Sequence, residues 1–244
     1  MLELAAEKIF IIGGIPITNS IFASILVSLI LITTAYIFSR KVSLYPSKFQ
    51  NFIESIIEFL YNTALEMVGS KKRTKAFFPI IATFFLFILF SNWMGLLPIF
   101  NYIGFYGDFV GNNAKFVPLL RPINSDLNIT VSLALISAIA TQYFAIRFVG
   151  IKHHLAHYFS INPINLFVGL LELVSEFTKV ISLSFRLYGN IIAGDVVIGT
   201  FTSMTGFLVP LPFMGLEIIV GFVQAAVFGM LTLAFTNVLS QKIH

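Results

Sequence analysis

Residues 182–190 read Ser-Leu-Ser-Phe-Arg-Leu-Tyr-Gly-Asn, and they place a single arginine, Arg186, inside a long apolar run. An arginine side chain keeps its proton at any physiological pH. A fixed cation in lipid costs about 3 kcal/mol on insertion scales, so a chain that keeps one there is expected to use it. Because arginine cannot release its proton, that use is electrostatic. Arg186 is therefore the first candidate for the functional site.

The composition around this stretch is that of an integral membrane protein. Of the 244 residues, 57% are hydrophobic and 11% are charged, whereas soluble domains carry about 25% charged residues. The net charge of +4 does not indicate nucleic-acid binding, because the basic residues cluster beside apolar segments. The absence of cysteine excludes disulfides and cysteine-ligated metals.

Five segments are apolar enough to enter a bilayer, which about 20 residues can span. A backbone in lipid must satisfy its own hydrogen bonds, so each segment is predicted to be a helix. The predicted fold is an all-α integral membrane protein that forms a single membrane domain over residues 1–244. The five predicted membrane-embedded helices cover about 20–39, 76–98, 126–149, 163–204 and 210–240.

A sixth helix is predicted outside these segments, over residues 48–68. Phe49, Phe52, Ile56 and Leu60 recur at helical spacing, and polar residues occupy the opposite face. This pattern is typical of an amphipathic helix at a membrane surface. A packing brace is the favoured interpretation of this helix, ahead of a regulatory site.

Lysine and arginine set the predicted orientation. The segment 40–75 holds seven of them and the segment 147–162 holds two. The positive-inside rule then places the N-terminus outside and the C-terminus in the cytoplasm, with the bacterial plasma membrane as the expected location. The outside segment 98–125 is expected to be irregular. Its charged residues are expected to lie in solvent: Asp108, Lys115 and Arg121.

The fourth membrane segment is too long for an upright crossing. A helix over 163–204 would measure about 60 Å at 1.5 Å per residue, against a hydrocarbon thickness of about 30 Å. No proline interrupts this run before Pro210. We therefore predict that 163–204 and 210–240 form a long, steeply tilted helical hairpin. Such a hairpin suits a surface that lies along the side of another cylinder.

The polar residues of this hairpin fall at matching depths. Folding it about a turn near Gly206 brings Arg186 level with Gln224, and Asp195 level with Glu217. Small residues were expected to let the helices approach closely. These are Gly189, Ala193, Gly221, Ala225 and Gly229.

Six ionisable residues in one hairpin are too many for helix packing alone, given their insertion cost. On the first helix, four of them form one stripe within about 80°: Glu172, Glu176, Lys179 and Arg186. Asp195 and Glu217 lie nearer the outside end. These acids could line two half-paths for protons, separated by the fixed cation. Such an arrangement would not leak protons across the membrane if a moving partner carried each proton from one half-path to the other.

The residues 182–195 resemble the arginine helix of subunit a of F-type ATP synthases, with the sequence Ser-Leu-Ser-Phe-Arg-Leu-Tyr-Gly-Asn-Ile-Ile-Ala-Gly-Asp. The likeness continues in Gln224 and in residues 91–98, Ser-Asn-Trp-Met-Gly-Leu-Leu-Pro. It extends to the Pro-x-x-x-Gln-Asn pattern that ends at Asn51. It covers nearly the whole chain, in order.

This resemblance implies a non-catalytic, ion-translocating subunit without cofactor or metal, with ATP chemistry in other subunits. The implied partners are a c-ring whose subunits each carry one membrane carboxylate, subunit b of the peripheral stalk, and the lipid bilayer. By position, Arg186 matches the essential arginine, and Asn190 and Gln224 match polar residues beside it. Asp195 and Glu217 match the outer half-channel pair. The positions toward the cytoplasmic exit are matched by Glu172 and Lys179, with Glu176 between them.

Two departures from the family pattern concern the outer pair. The position of Asp195 is often glutamate in the family, and that of Glu217 is histidine in some members. Two facing carboxyl groups are expected to share a proton. Whether the transported ion is a proton or sodium stays open, because sodium specificity lies mainly on the ring carboxylate.

Two other function classes fit the sequence less well. A secondary transporter usually shows duplicated halves, and the sequence shows no such duplication. A membrane enzyme could use His153, His154 and His157 as metal ligands, but no His-Glu-x-x-His pattern accompanies them. The sequence also lacks the Gly-rich, lysine-containing loop that binds nucleotide phosphates.

Overall fold

The computed structural model describes residues 8–12, 15–40, 47–97, 103–107, 115–151, 163–206 and 208–241. Within them, six α-helices carry most of the chain. They are α1 (Asn19–Arg40), α2 (Lys48–Val68), α3 (Lys71–Gly95), α4 (Leu127–Val149), α5 (Pro163–Thr205) and α6 (Pro210–Leu239). The helices start and end within a few residues of the predicted bounds, because long apolar and amphipathic periods are strong local signals.

Two short antiparallel strand pairs were not predicted. They are β1 (Lys8–Ile12) with β2 (Ile15–Thr18), and β3 (Gly104–Gly107) with β4 (Lys115–Pro118). A short 3-10 helix, Ile123–Ser125, follows the second pair. The described part of the segment 98–125 is therefore more regular than expected, because its backbone groups pair across two strands.

Four of the helices in the described ranges are long and apolar enough to cross a membrane, namely α1, α3, α4 and α6. By length and composition, these four helices are candidate membrane spans. Helix α5, which carries five ionisable residues, is not among these four. A fifth membrane helix and its tilt stay predictions.

The chain divides into two compact units. The first consists of Met1–Lys41, Leu86–Thr130 and Phe185–Ala225, and the second of Val42–Phe85, Val131–Ser184 and Ala226–His244. The single-domain prediction for residues 1–244 stays a prediction.

In the first unit, α1 packs through Ala23 and Val27 against Leu120 and Ile123. The C-terminal hairpin turns where it was predicted to turn. Gly206 ends α5 with a φ of 76°, a left-handed conformation that favours glycine. Its N–H donates to the carbonyl of Thr202 at 3.1 Å.

In the second unit, Ser47 caps the N-terminus of α2. Its hydroxyl accepts a hydrogen bond from the Gln50 N–H at 3.3 Å. Its residues Ala64 and Val68 join a core with Phe77 and Phe144. The rings of Phe77 and Phe144 meet edge to face, with centroids 4.9 Å apart. This core fixes α2 against α3 and α4.

Candidate functional site

Asp195 and Glu217 line one small cavity of the first unit. The volume of this cavity that the centre of a water molecule can occupy is about 10 Å³. That is room for about one water molecule. Glu217 is only 6% exposed, and Asp195 is half-buried. The structure thus brings together the two carboxyl groups that the hairpin register placed at one depth.

The Glu217 carboxyl group lies directly against Gly194, the residue before Asp195. A Cβ atom on Gly194 would overlap Glu217 Oε1, so only glycine leaves room for the carboxyl group. The contact therefore determines where the Glu217 side chain lies relative to α5.

Three polar residues that sequence reasoning gave no role complete this site. Asn92 on α3 donates from Nδ2 to the Gly221 carbonyl at 3.1 Å, and Asn124 donates from Nδ2 to Asn92 Oδ1 at 2.6 Å. Trp93 Nε1 donates to the Ile218 carbonyl at 3.1 Å. Asn92 and Trp93 lie in the quoted stretch 91–98, but no local pattern shows contacts across 32 to 129 residues of chain.

The structure corrects the expectation that Arg121 lies in solvent. The side chain is half-buried, and its Nε donates to Ser125 Oγ at 3.0 Å. It is also close enough to Asp195 for an electrostatic attraction between them. The 3-10 helix causes this placement, because it brings Ser125 back toward Arg121. Asp108 and the Lys115 side chain lie outside the described residues.

Arg186 occupies an exposed face of α5. Gly189 and Ala193, three and seven residues further on, are exposed along the same line of the helix. We expected these two small residues to pack within the hairpin, and the structure leaves them on the surface instead. Gly221 does pack closely, since a Cβ atom there would lie 3.0 Å from Asn92 Cβ. Asn190 and Gln224 are half-buried.

In the second unit, Glu176 and Lys179 form an ion pair, with Lys179 Nζ 2.8 Å from Glu176 Oε1. The other carboxylate oxygen accepts from Gln142 Nε2 at 3.1 Å. The ammonium group also lies 4.3 Å from the centre of the Phe235 ring, at the distance of a cation–π contact. Glu172 is half-buried one turn before Glu176.

The three loop histidines considered as metal ligands, His153, His154 and His157, lie outside the described residues.

Known proteins resemble this chain over most of its length. The profile of the ATP synthase A chain family matches residues 21–237. The ATP synthase subunit a of Moorella thermoacetica is 30% identical over 235 residues, which cover 96% of each chain. That of Legionella pneumophila is 32% identical over 94% of this chain and 90% of its own. That of Gloeobacter violaceus is 37% identical over 86% of this chain and 79% of its own.

Proposed function

The chain belongs to the ATP synthase A chain family, the ion-translocating subunit a of the membrane sector, and on that premise we propose that it is the stator half of a rotary proton motor. Arg186 is the fixed cation that faces the carboxylates of the c-ring. Asp195 and Glu217 form the outer half-channel, and Asn190 and Gln224 lie beside the arginine. The cytoplasmic half-channel is lined by Glu172, Glu176 and Lys179.

The observation that carries this proposal is the surface around Arg186. An exposed arginine stands on a face of α5 with Gly189 and Ala193, between the exposed apolar side chains of Phe185 and Val196. Small residues let another helix approach closely in a membrane. A cation on such a face fits a partner helix that carries one carboxylate. The subunits of the c-ring, the expected partner of this family, each carry one.

The outer half-channel is supported by the setting of Asp195 and Glu217. Both carboxyl groups line a cavity with Ser91, Asn92 and Asn124, so polar atoms continue from the acids into α3 and the 3-10 helix before α4. A proton that reaches Glu217 can pass to Asp195 and then to a ring carboxylate. Arg186 holds that carboxylate ionised after its proton leaves and repels a proton that tries to cross directly.

The cytoplasmic half-channel is supported by a cavity of the second unit whose lining includes four polar residues. Glu176, Lys179, Ser137 and Thr141 line it. The charges of Glu176 and Lys179 offset each other, because the two side chains form an ion pair. Their role is therefore to keep the proton path polar. Glu172, one turn earlier on the same helix, is the carboxyl group that exchanges protons toward the cytoplasm.

The proposed setting is the bacterial plasma membrane, with the N-terminus outside and the C-terminus in the cytoplasm. α5 is the fifth membrane-embedded helix, and it lies with α6 as a hairpin tilted well beyond the average of about 20°. Residues 1–244 act as one membrane domain that contacts the c-ring, subunit b and lipid. A density map with two upright helices would contradict the tilt.

The deciding experiment is proton pumping and ATP synthesis in inverted vesicles that carry the assembled complex. Arg186→Ala is expected to abolish coupled synthesis, because no fixed cation then separates the half-channels. Arg147→Ala is the matched control, since Arg147 is an exposed arginine in the last turn of α4. Synthesis by Arg186→Ala at the rate of the control would refute the proposal.

The same vesicles identify the transported ion. Wild-type pumping in sodium-free buffer is expected if the ion is the proton. Pumping that starts only after sodium is added would identify sodium as the transported ion and leave the proposed architecture unchanged.

A further inference from the structure

Three buried polar atoms on residues that line the Asp195–Glu217 cavity have no hydrogen-bond partner within the described part of the chain. They are Ser91 Oγ, Asn124 Oδ1 and Glu217 Oε2. A buried polar atom without a hydrogen-bond partner is costly, and native proteins satisfy nearly all such atoms. Three on one cavity therefore indicate a ligand that completes their hydrogen bonds.

A chain of hydrogen bonds determines which atom of the Asn124 amide faces the cavity. The Gly221 carbonyl oxygen can only accept, so Asn92 must present Nδ2 to it. Asn92 Oδ1 is then turned toward Asn124, which must donate from Nδ2. Asn124 Oδ1 is left as an acceptor, and reversing the amide would break this chain.

The three open atoms match the hydrogen-bonding capacity of one water molecule. Asn124 Oδ1 and a Glu217 carboxylate oxygen accept, and the Ser91 hydroxyl can donate. A water molecule donates twice and accepts, and buried waters typically make about three hydrogen bonds. The cavity volume of about 10 Å³ also fits about one water.

We propose that this cavity binds one ordered water molecule and that Asn124 is the positioning residue that orients it toward Glu217. The inference rests on the proposed function, in which Glu217 receives protons from outside. The charged groups around the site are Asp195 on α5 and Arg121 before α4. Since Asn124 Oδ1 can only accept, it stabilises the water most strongly when the water carries an extra proton.

The proton step at this site is a simple transfer. The hydronium form of the water breaks one O–H bond, and Glu217 Oε2 forms one. The products are a neutral water and a neutral carboxylic acid. The water then takes its next proton from the outer side, while Asn124 keeps the orientation.

A density map of the assembled complex that resolves waters tests the site directly. We expect one peak about 2.7–3.2 Å from Ser91 Oγ, Asn124 Oδ1 and Glu217 Oε2. An unfilled cavity would overturn the proposal. So would a peak about 2.3–2.6 Å from these oxygens that depends on added sodium, because that spacing is typical of a hard metal cation such as calcium.

The positioning role is tested with Asn124→Ala in inverted vesicles, whose lumen corresponds to the cell exterior. ATP synthesis is measured against luminal pH. We expect half-maximal synthesis to need a roughly tenfold higher proton concentration, because a hydrogen bond to a charged group is lost. Asn128→Ala, an exposed asparagine four residues away, is the control and should keep the midpoint.

An unchanged midpoint in Asn124→Ala would overturn the positioning role even if the maximal rate fell. Loss of assembled complex lowers the rate without moving the midpoint. Ser91→Ala is the second variant, in case Asn124→Ala does not assemble. It should shift the midpoint in the same direction, and no shift would count against the water site.

The two proposals fail separately. If the Arg186→Ala complex made ATP at the normal rate, the proposed function would be refuted, while the water peak could still be observed. If the peak were missing while Arg186→Ala abolished synthesis, only the water site would fall.

Discussion

At the scale of single residues, Gly194 controls the position of the Glu217 carboxyl group. A Cβ atom there would overlap that carboxyl group, so Gly194→Ala must shift the Glu217 carboxyl group away from its present position. We expect proton-driven ATP synthesis to fall roughly tenfold or more, the scale of a lost proton-transfer group. The complex should still assemble, since alanine favours a helix over glycine by about 1 kcal/mol.

The matched control for this change is Gly215→Ala. Gly215 lies on α6, is exposed, and has no atom within 4 Å of the added Cβ among the described residues. Proton-driven ATP synthesis by the Gly215→Ala complex should stay at the wild-type level. Equal losses in both variants would mean that the Gly194 contact does not position Glu217.

Asp195 carries a second prediction at this scale. Asp195→Asn keeps the size of the side chain but cannot bind and release a proton, so transport should slow roughly tenfold or more. Glu54→Gln is the comparison, because Glu54 is an exposed acid on α2 that accepts from Gln50 Nε2 at 2.8 Å. Proton flux is measured in vesicles for both variants. Similar rates for the two variants would argue against an outer half-channel at Asp195.

At the scale of elements, two hydroxyl pairs join α4 to α6 inside the second unit. Ser137 and Thr232 lie 2.8 Å apart, and Thr141 and Thr236 lie 3.1 Å apart. Thr232 donates its single hydroxyl hydrogen to the Phe228 carbonyl at 2.8 Å, so Ser137 is the donor within the first pair. These bonds hold two helices together where apolar burial adds little driving force.

A double-mutant cycle of Ser137→Ala and Thr232→Val measures the first pair. We expect a coupling free energy of about 0.6 kcal/mol, the average for hydrogen bonds between membrane helices. Thermal unfolding of the purified complex is the measurement. Thr83→Val removes an exposed hydroxyl that bonds only within α3, and it should not couple to Ser137. A coupling of zero between Ser137 and Thr232 would show that the pair contributes no stability.

Helix α5 shows what an element's sequence can and cannot reveal. Its extent, its end at Gly206 and its register against α6 were predictable, since they follow from the apolar run, the glycine and the spacing of charges. The exposure of Gly189 and Ala193 was not, because small residues suit a partner inside the chain and a partner outside it equally well.

At the scale of the whole molecule, the membrane orientation is open to a direct test, because the chain contains no cysteine. Lys72→Cys and Ile103→Cys each introduce one thiol at an exposed position. The positive-inside rule predicts Lys72 in the cytoplasm and Ile103 outside. An impermeant maleimide added to inverted vesicles should therefore label Lys72→Cys and leave Ile103→Cys unlabelled. The reverse labelling would invert the topology.

Local features of the sequence were enough to predict the membrane class, the approximate bounds of the six helices, the hairpin turn and the candidate residues Arg186, Asp195 and Glu217. These follow from hydropathy, helical period and the cost of charge in lipid, which depend on residues close together in the chain. The family resemblance in residues 182–195 came from the same local signal.

The surroundings of those residues, in contrast, depend on how distant parts of the chain pack together. The bonds of Asn92 to Asn124 and Gly221 join positions 32 and 129 residues apart, and the contact of Gly194 with Glu217 depends on how two helices meet. Arg121 was assigned to solvent from its loop position, yet the fold half-buries it. Such contacts arise from packing between distant segments, and packing leaves no periodic trace in the sequence.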